Sequence, residues 1–175
     1  MRIIGGRYRS RVLQFPQRPE LRPTPDRVRE TLFNWLGQDL SGRTCLDLFS
    51  GSGALGFEAA SRYAASVTMV EQNPAVHRAL ADNAALLKAG QVRLLRMDAL
   101  QFLAQDTQPF DVIFLDPPFG QGWLEKLLPL LAPHLAPDGV VYAESESPLQ
   151  DGPDWQVYKH GKAGNVHYHL LKCHP

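Results

Sequence analysis

From Arg43 onward the chain alternates short apolar runs with longer amphipathic stretches. The runs Thr44–Phe49, Ser66–Glu71, Val92–Met97, Phe110–Leu115 and Gly139–Ala143 are rich in Val, Ile, Leu and Phe, which predicts strands covered on both faces. Between them, helices are expected from about Ala54 to Tyr63, from Asn73-Pro74 to about Ala89, over Leu100–Gln105 and over Trp123–Leu135. Val76, Leu80, Ala84 and Leu87 would form the inward stripe of the second, and Pro129 must kink or interrupt the last. Strict alternation of this kind implies a parallel sheet with right-handed crossovers and helices on both faces. The pattern then breaks. Trp155–His160 and Val166–Lys172 flank the Gly-containing segment 161–165 and read as a hairpin that ends the sheet with antiparallel pairing. His167 and His169 would share one solvated face of it.

The first 40 residues follow other rules. Residues 2–15, with Gly5-Gly6 as a turn signal, predict a small hairpin whose arginines at 7, 9 and 11 line one face. Three prolines make 16–23 an irregular linker. Thr24-Pro25-Asp26 opens a helix, with Thr as cap and Pro at its first position, and Val28, Leu32 and Leu36 form its buried stripe. Arg27 and Arg29 fall off that stripe.

Composition changes this picture in one respect. A chain of 175 residues with 44% hydrophobic and 21% charged content fits one domain. We divide it into a basic extension, 1–40, and a catalytic core, 41–175. The net charge of zero hides an asymmetry. Residues 1–29 carry eight arginines against Glu20 and Asp26, a net of +6, so the remainder is −6. An all-arginine basic segment suits phosphate and base contacts by planar guanidinium groups. Arg2, Arg7, Arg9, Arg11, Arg22, Arg27 and Arg29 are the candidate RNA-binding residues. No apolar signal-peptide core precedes them, which places the protein in the cytoplasm, and no apolar run approaches a membrane span. Cys45 and Cys173 read as small buried hydrophobes, and no Cys/His spacing suggests a metal.

Two stretches carry candidate chemistry. Asp47-Leu48-Phe49-Ser50-Gly51-Ser52-Gly53-Ala54-Leu55-Gly56 places G-x-G-x-x-G between a strand and a helix, and Glu71 ends the next strand 20 residues past Gly51. That acid can accept from both hydroxyls of a ribose. Carboxylates at four strand ends (Asp47, Glu71, Asp98, Asp116) suit a cationic nucleoside better than a pyrophosphate. Asp98 can accept from an adenine amine or cap the helix after it. The second stretch is Asp116-Pro117-Pro118-Phe119. Asp-Pro alone makes a turn; here a carboxylate, the Pro117 carbonyl and the Phe119 ring sit together at the end of a buried strand. Two acceptors for an NH2 group and a stacking face suit a flat base with an exocyclic amine.

These residues together resemble the class I S-adenosylmethionine-dependent methyltransferases that act on exocyclic amines. Arg2-Ile3-Ile4-Gly5-Gly6, the run from Arg22 to Asn34, and Lys162-Ala163-Gly164-Asn165-Val166-His167-Tyr168 look like the RsmD family, and the resemblance spans almost the whole chain. It implies a Rossmann-like methyltransferase fold, α/β, with a mostly parallel seven-stranded sheet, a C-terminal antiparallel hairpin, and a small N-terminal basic β-hairpin and helix. It implies methylation of N2 of a guanine in 16S ribosomal RNA, within a small ribosomal subunit or its precursor, by a monomer. Asp116, Pro117 and Phe119 would be catalytic. Asp47, Gly51, Gly53, Glu71, Gln72, Asp98, Ala99 and Asp116 would bind S-adenosyl-L-methionine, and no metal is needed. Other readings stay open on the residues alone: an amino methyltransferase on DNA bases or protein glutamine, a nicotinamide-dependent oxidoreductase, and a non-catalytic RNA-binding assembly factor.

Overall fold

A computed structural model describes residues 1–174. Its centre is a seven-stranded sheet of order β3-β2-β1-β4-β5-β7-β6. Strands β1 (Thr44–Asp47), β2 (Ser66–Val70), β3 (Val92–Leu95), β4 (Phe110–Leu115) and β5 (Leu135–Ser145) run parallel. Strands β6 (Trp155–Ala163) and β7 (Val166–Cys173) form an antiparallel hairpin, with β7 seated between β5 and β6. The chain winds one way through β1, β2 and β3, and the other way from β4, so the topological switch lies between β1 and β4. In open α/β sheets the ligand crevice lies beyond the C-terminal ends of such a strand pair. Asp47 ends β1, and Asp116 follows β4.

The period-two pattern divides each strand between two cores. Val112, Phe114, Val140 and Tyr142 face one side, with α1 (Asp26–Trp35), α2 (Ala54–Ser61) and α3 (Pro74–Leu87). Ile113, Leu115, Val141 and Ala143 face the other, with α4 (Ala99–Gln105) and α5 (Trp123–Leu131). Val28, Leu32 and Leu36 are buried as the helical spacing requires.

Several local expectations are corrected. The N-terminal hairpin is minimal: residues 2–15 make a single antiparallel bridge, Arg2 to Val12, around a turn over residues 5–10. Beyond that bridge the segment packs on α2. The Arg7 N–H donates to the Ser61 carbonyl (2.8 Å), and Gly6, at φ +79°, sits so close that a Cβ would lie 1.8 Å from that carbonyl oxygen. Ile3, Tyr8 and Leu13 therefore belong to the α1–α3 core, and the basic extension is an integral part of the domain. Helix α5 ends at Leu131 and gives way to a 3-10 turn over Ala132–His134, four residues before the expected end. Pro129 removes one helical donor and Pro133 the next, so the carbonyls there are left for tighter turns. The hairpin turn is also shorter than expected. Strand β6 runs through Gly161 to Ala163, leaving Gly164-Asn165 as the turn. Gly161 is needed within the strand because the Tyr168 ring lies across it, 2.3 Å from where a Cβ would be. His169 is fully buried, not solvated. Its Nε2 accepts from the Leu149 N–H (3.0 Å), so Nδ1 carries the proton and donates to the Ala143 carbonyl (3.0 Å).

Candidate active site

The glycine loop is shaped by the two acids that flank it. Asp47 is buried at the end of β1, and its Oδ2 accepts from the Gly56 N–H (3.0 Å). Its Oδ1 is buried without a hydrogen-bond partner. Glu71, just past β2, accepts from the Gly51 N–H through Oε1 and the Asn73 N–H through Oε2, both at 3.0 Å. A carboxylate has about four acceptor positions, so two backbone bonds leave Glu71 free to take more. Gly53 caps α2 at φ +85°, with the Phe57 ring packed against it, and Gly56 lies against the Met69 side chain. These two glycines serve the turn and the helix–strand contact.

A cleft of about 840 Å³ opens over the sheet's C-terminal edge. Gly51, Glu71, Gln72, Asp98, Ala99 and Asp116 line it, and Asp47 lines a smaller recess of about 60 Å³ that shares walls with it. Of the predicted cofactor residues only Gly53 lines neither. Asp98 caps α4: its Oδ1 accepts from the Gln101 N–H (2.8 Å), and the Gln101 side chain accepts from the Asp98 N–H (3.2 Å). At the other end, Pro117 is buried while Phe119 stands 42% exposed on the rim. Trp123 also lines the cleft and meets Phe49 edge-on, with ring centroids 5.3 Å apart.

The roof is the segment from Pro19 to Pro25. Thr24 does not cap α1 as expected. Pro25 takes that position, with no side-chain cap, and the Thr24 hydroxyl donates to Glu144 Oε2 (3.1 Å) across 120 residues. Glu144 is a site residue that the sequence reading missed. It is 6% exposed near the end of β5 and lines the cleft beside Asp116. The expected strand stopped at Ala143; one further residue would have shown a fifth strand-end acid.

Burial dominates the electrostatics. It pushes the Asp47 carboxyl up to about 7; the Gly56 N–H pulls it down, while Glu71 and Glu144 push it higher. Burial also holds Asp116 well above the usual carboxylate range, helped by Glu144 and Asp47. A carboxyl raised on folding stabilises the protein fully below its unfolded value of 3.8 and loses that contribution as pH rises through the folded value near 7. The ligand-free protein is thus expected to lose about 2–4 kcal/mol of stability across this window from Asp47. Asp47→Asn should flatten the loss. Thermal unfolding between pH 5 and 8 checks this, and an unchanged profile in the variant would refute it.

Six of the seven predicted RNA-binding arginines (Arg2, Arg7, Arg9, Arg11, Arg22 and Arg27) are exposed. Arg22 also stands on the cleft wall. Arg29 is a correction: it is 1% exposed and bonded to Glu58 (3.2 Å), Asp26 and the Thr24 carbonyl (3.0 Å), so it cannot reach a nucleic acid. Its partner Glu58 is fully buried in α2, every residue of which is buried. A charge in so apolar a helix requires a buried counter-charge, and that was the available signal.

A family described as conserved hypothetical protein 95 matches residues 1–172. The chain is 48% identical, over 98% of its length and 89% of the relative's, to ribosomal RNA small subunit methyltransferase D of Escherichia coli K12. It is 43% identical to the protein of the same name from Haemophilus influenzae, over 98% of this chain and 93% of that one. The solved structure of Escherichia coli yhhF superposes with a TM-score of 0.88 at 47% identity, covering 98% of this chain and 96% of that one.

Proposed function

The chain belongs to the family described as conserved hypothetical protein 95, and on that premise we propose that it is an S-adenosylmethionine-dependent methyltransferase acting on the exocyclic N2 of a guanine in small-subunit ribosomal RNA. The observation that carries this reading is one shared cleft. The Asp116–Phe119 acceptor-and-aromatic set opens into the same space as Glu71, Asp98 and the recess of Asp47.

The residues present fit the cofactor. The unpartnered Asp47 oxygen suits its ammonium group, the remaining acceptor positions of Glu71 suit two ribose hydroxyls, and the second oxygen of Asp98 suits an adenine amine. Gly51, Gln72 and Ala99 complete the walls, and Gly53 acts through the turn. When bound, the cofactor supplies an electrophilic methyl group on sulfur.

The chain's own residues prepare the nucleophile. The lone pair of the guanine amine is delocalised into the ring, so the free amine attacks poorly. Asp116 and the Pro117 carbonyl accept its two hydrogens, draw the nitrogen toward tetrahedral geometry and stabilise the positive charge that grows on it. Phe119 stacks on a base that is unpaired or flipped out, and the cleft fixes the line of attack.

The exposed arginines at 2, 7, 9 and 11 hold RNA phosphates. Replacing Arg7, Arg9 and Arg11 together by alanine is expected to weaken RNA binding by about tenfold or more at 0.1 M salt and to reduce its salt dependence by up to three counterions. Filter binding across a salt series measures both. The reading places the protein, as a monomer, at the small subunit or its precursor in the cytoplasm. Among the described residues no helix is long and apolar enough to cross a membrane.

The test is transfer of labelled methyl to small ribosomal subunits that lack the modification, followed by digestion to nucleosides. Label in N2-methylguanosine is expected. Label in another nucleoside would discard guanine as the target, and no label would overturn the reading.

A further inference from the structure

Asp116 does not stand alone. Leu115 of β4 is in register with Ala143 of β5, so Asp116 and Glu144 are the next matched positions along the two parallel strands. Side chains at matched positions of neighbouring strands point to the same face. Here that is the face of Phe114 and Tyr142, toward the N-terminal segment. Asp47, on β1 at the other side of β4, shares it. Both acids line the cleft, and Glu144 is fixed from above by the Thr24 hydroxyl (3.1 Å). The Tyr142 hydroxyl is buried nearby, outside hydrogen-bonding geometry.

We propose that Glu144 is a positioning residue that shares one proton with Asp116, aims the Asp116 carboxyl at the substrate amine, and takes up the pair's proton when the amine sheds its own. This rests on the methyltransferase reading above and adds a residue to it.

The pair's location argues for sharing. Two carboxylates held side by side, Glu144 buried and Asp116 half-buried, resist ionising together, so one proton stays between them. Burial raises both acids, and the like charge of Glu144 beside it raises Asp116 further. The groups facing the pair are Asp47 from β1, Tyr142 from β5, Tyr168 from β7, and Glu20, Arg22 and Thr24 from the roof. Of these only Arg22 is basic, and it is exposed. The Thr24 bond holds Glu144 in place, which leaves the Asp116 oxygens for the substrate.

The proton balance closes. The new N–C bond forms as the methyl–sulfur bond breaks, and that bond's electron pair stays on sulfur. One N–H proton of the methylated amine passes to Asp116, while the proton already on the pair rests on Glu144. The pair goes from one proton to two, and from one negative charge to none, as the positive charge on sulfur is discharged. One proton then leaves to solvent with the product. The site's total charge is constant through the methyl transfer, so little reorganisation is demanded of the buried surroundings.

The experiment compares wild type with Glu144→Gln and Glu144→Asp. Glutamine keeps the shape but can neither carry the charge nor hold the proton. Glu144→Gln is expected to lower kcat by about 10- to 100-fold, with KM for the cofactor within about threefold of wild type. The acid limb of its kcat–pH profile should move to lower pH, because an amide beside Asp116 favours the carboxylate. Glu144→Asp should recover part of kcat and the original limb. Carboxyl-carbon NMR titration of the ligand-free proteins reads the pair without any turnover. Wild type should show Asp116 titrating well above an ordinary aspartate, and Glu144→Gln should bring it down.

An active wild type whose Glu144→Gln variant keeps both kcat and the pH limb would overturn the proposal. So would a loss of kcat matched by lost cofactor affinity with an unmoved limb, which is a purely structural effect. A wild type that shows the shared proton but methylates no guanine would overturn the functional reading and leave the proton pair standing.

Discussion

Asp116→Ala is expected to reduce methyl transfer by about a hundred- to a thousandfold while S-adenosylhomocysteine still binds within about tenfold of wild type. The magnitude is that of removing one preorganised acceptor from the place where charge develops, about 3–4 kcal/mol. Cofactor affinity survives because Glu71, Asp98 and Asp47 lie on other strand ends. Two effects of opposite sign meet in this variant. Removing Asp116 relieves Asp47 and Glu144 of a like-charged neighbour, so the ligand-free protein should not lose stability at pH 8. Single-turnover methyl transfer, calorimetric titration and thermal unfolding at that pH separate the three readouts. Loss of activity with equal loss of cofactor binding would assign Asp116 to the cofactor rather than to the amine.

The largest effect on stability is expected at Glu58, far from the chemistry. Its two oxygens accept from the Ile4 N–H (3.0 Å), the Gly5 N–H (3.0 Å), Arg29 Nη1 (3.2 Å) and Arg62 Nε (2.9 Å). Glu58→Ala leaves two nearly buried guanidinium groups and two backbone donors without their acceptor. Breaking a buried ion pair from one side costs about 3–5 kcal/mol, which for a domain of this size lowers Tm by about 6–20 °C. Arg29 also donates to the Thr24 carbonyl, so the roof over the cleft loosens with it. Cofactor affinity should fall along with Tm. A Tm within about 2 °C of wild type would show that the network contributes nothing net.

The sheet and both strand-end motifs were legible because each rests on a local pattern. Short continuous apolar runs, a glycine triplet after a strand and an acid before two prolines need no partner elsewhere to be recognised. What escaped depends on residues distant in sequence. Thr24 has the chemistry of a cap, but Pro25 holds an extended backbone there and Glu144 offers its hydroxyl a buried acceptor. Arg29 belongs to a run that reads as one basic surface, yet i, i+1 spacing on a helix turns Val28 and Arg29 about 100° apart. Both reach the interior because α1 is covered by the N-terminal segment as well as by the sheet. The N-terminal hairpin is cut short for a related reason. Two glycines permit a hairpin turn, but Gly6 is spent on a close approach to the end of α2.

Strand β7, which follows β5 and β6 in the chain, is an interior strand. It fills the place between β5 and β6, and the inner half of β5, residues 139–145, is buried. A chain growing from its N-terminus must hold β5 with one edge unpaired until residues 166–173 arrive. Such an edge recruits strands from other chains. A premature stop before Val166 would therefore yield an aggregating species in place of a shortened enzyme, and a temperature-sensitive β7 variant would be lost to inclusion bodies before it could be lost to inactivity.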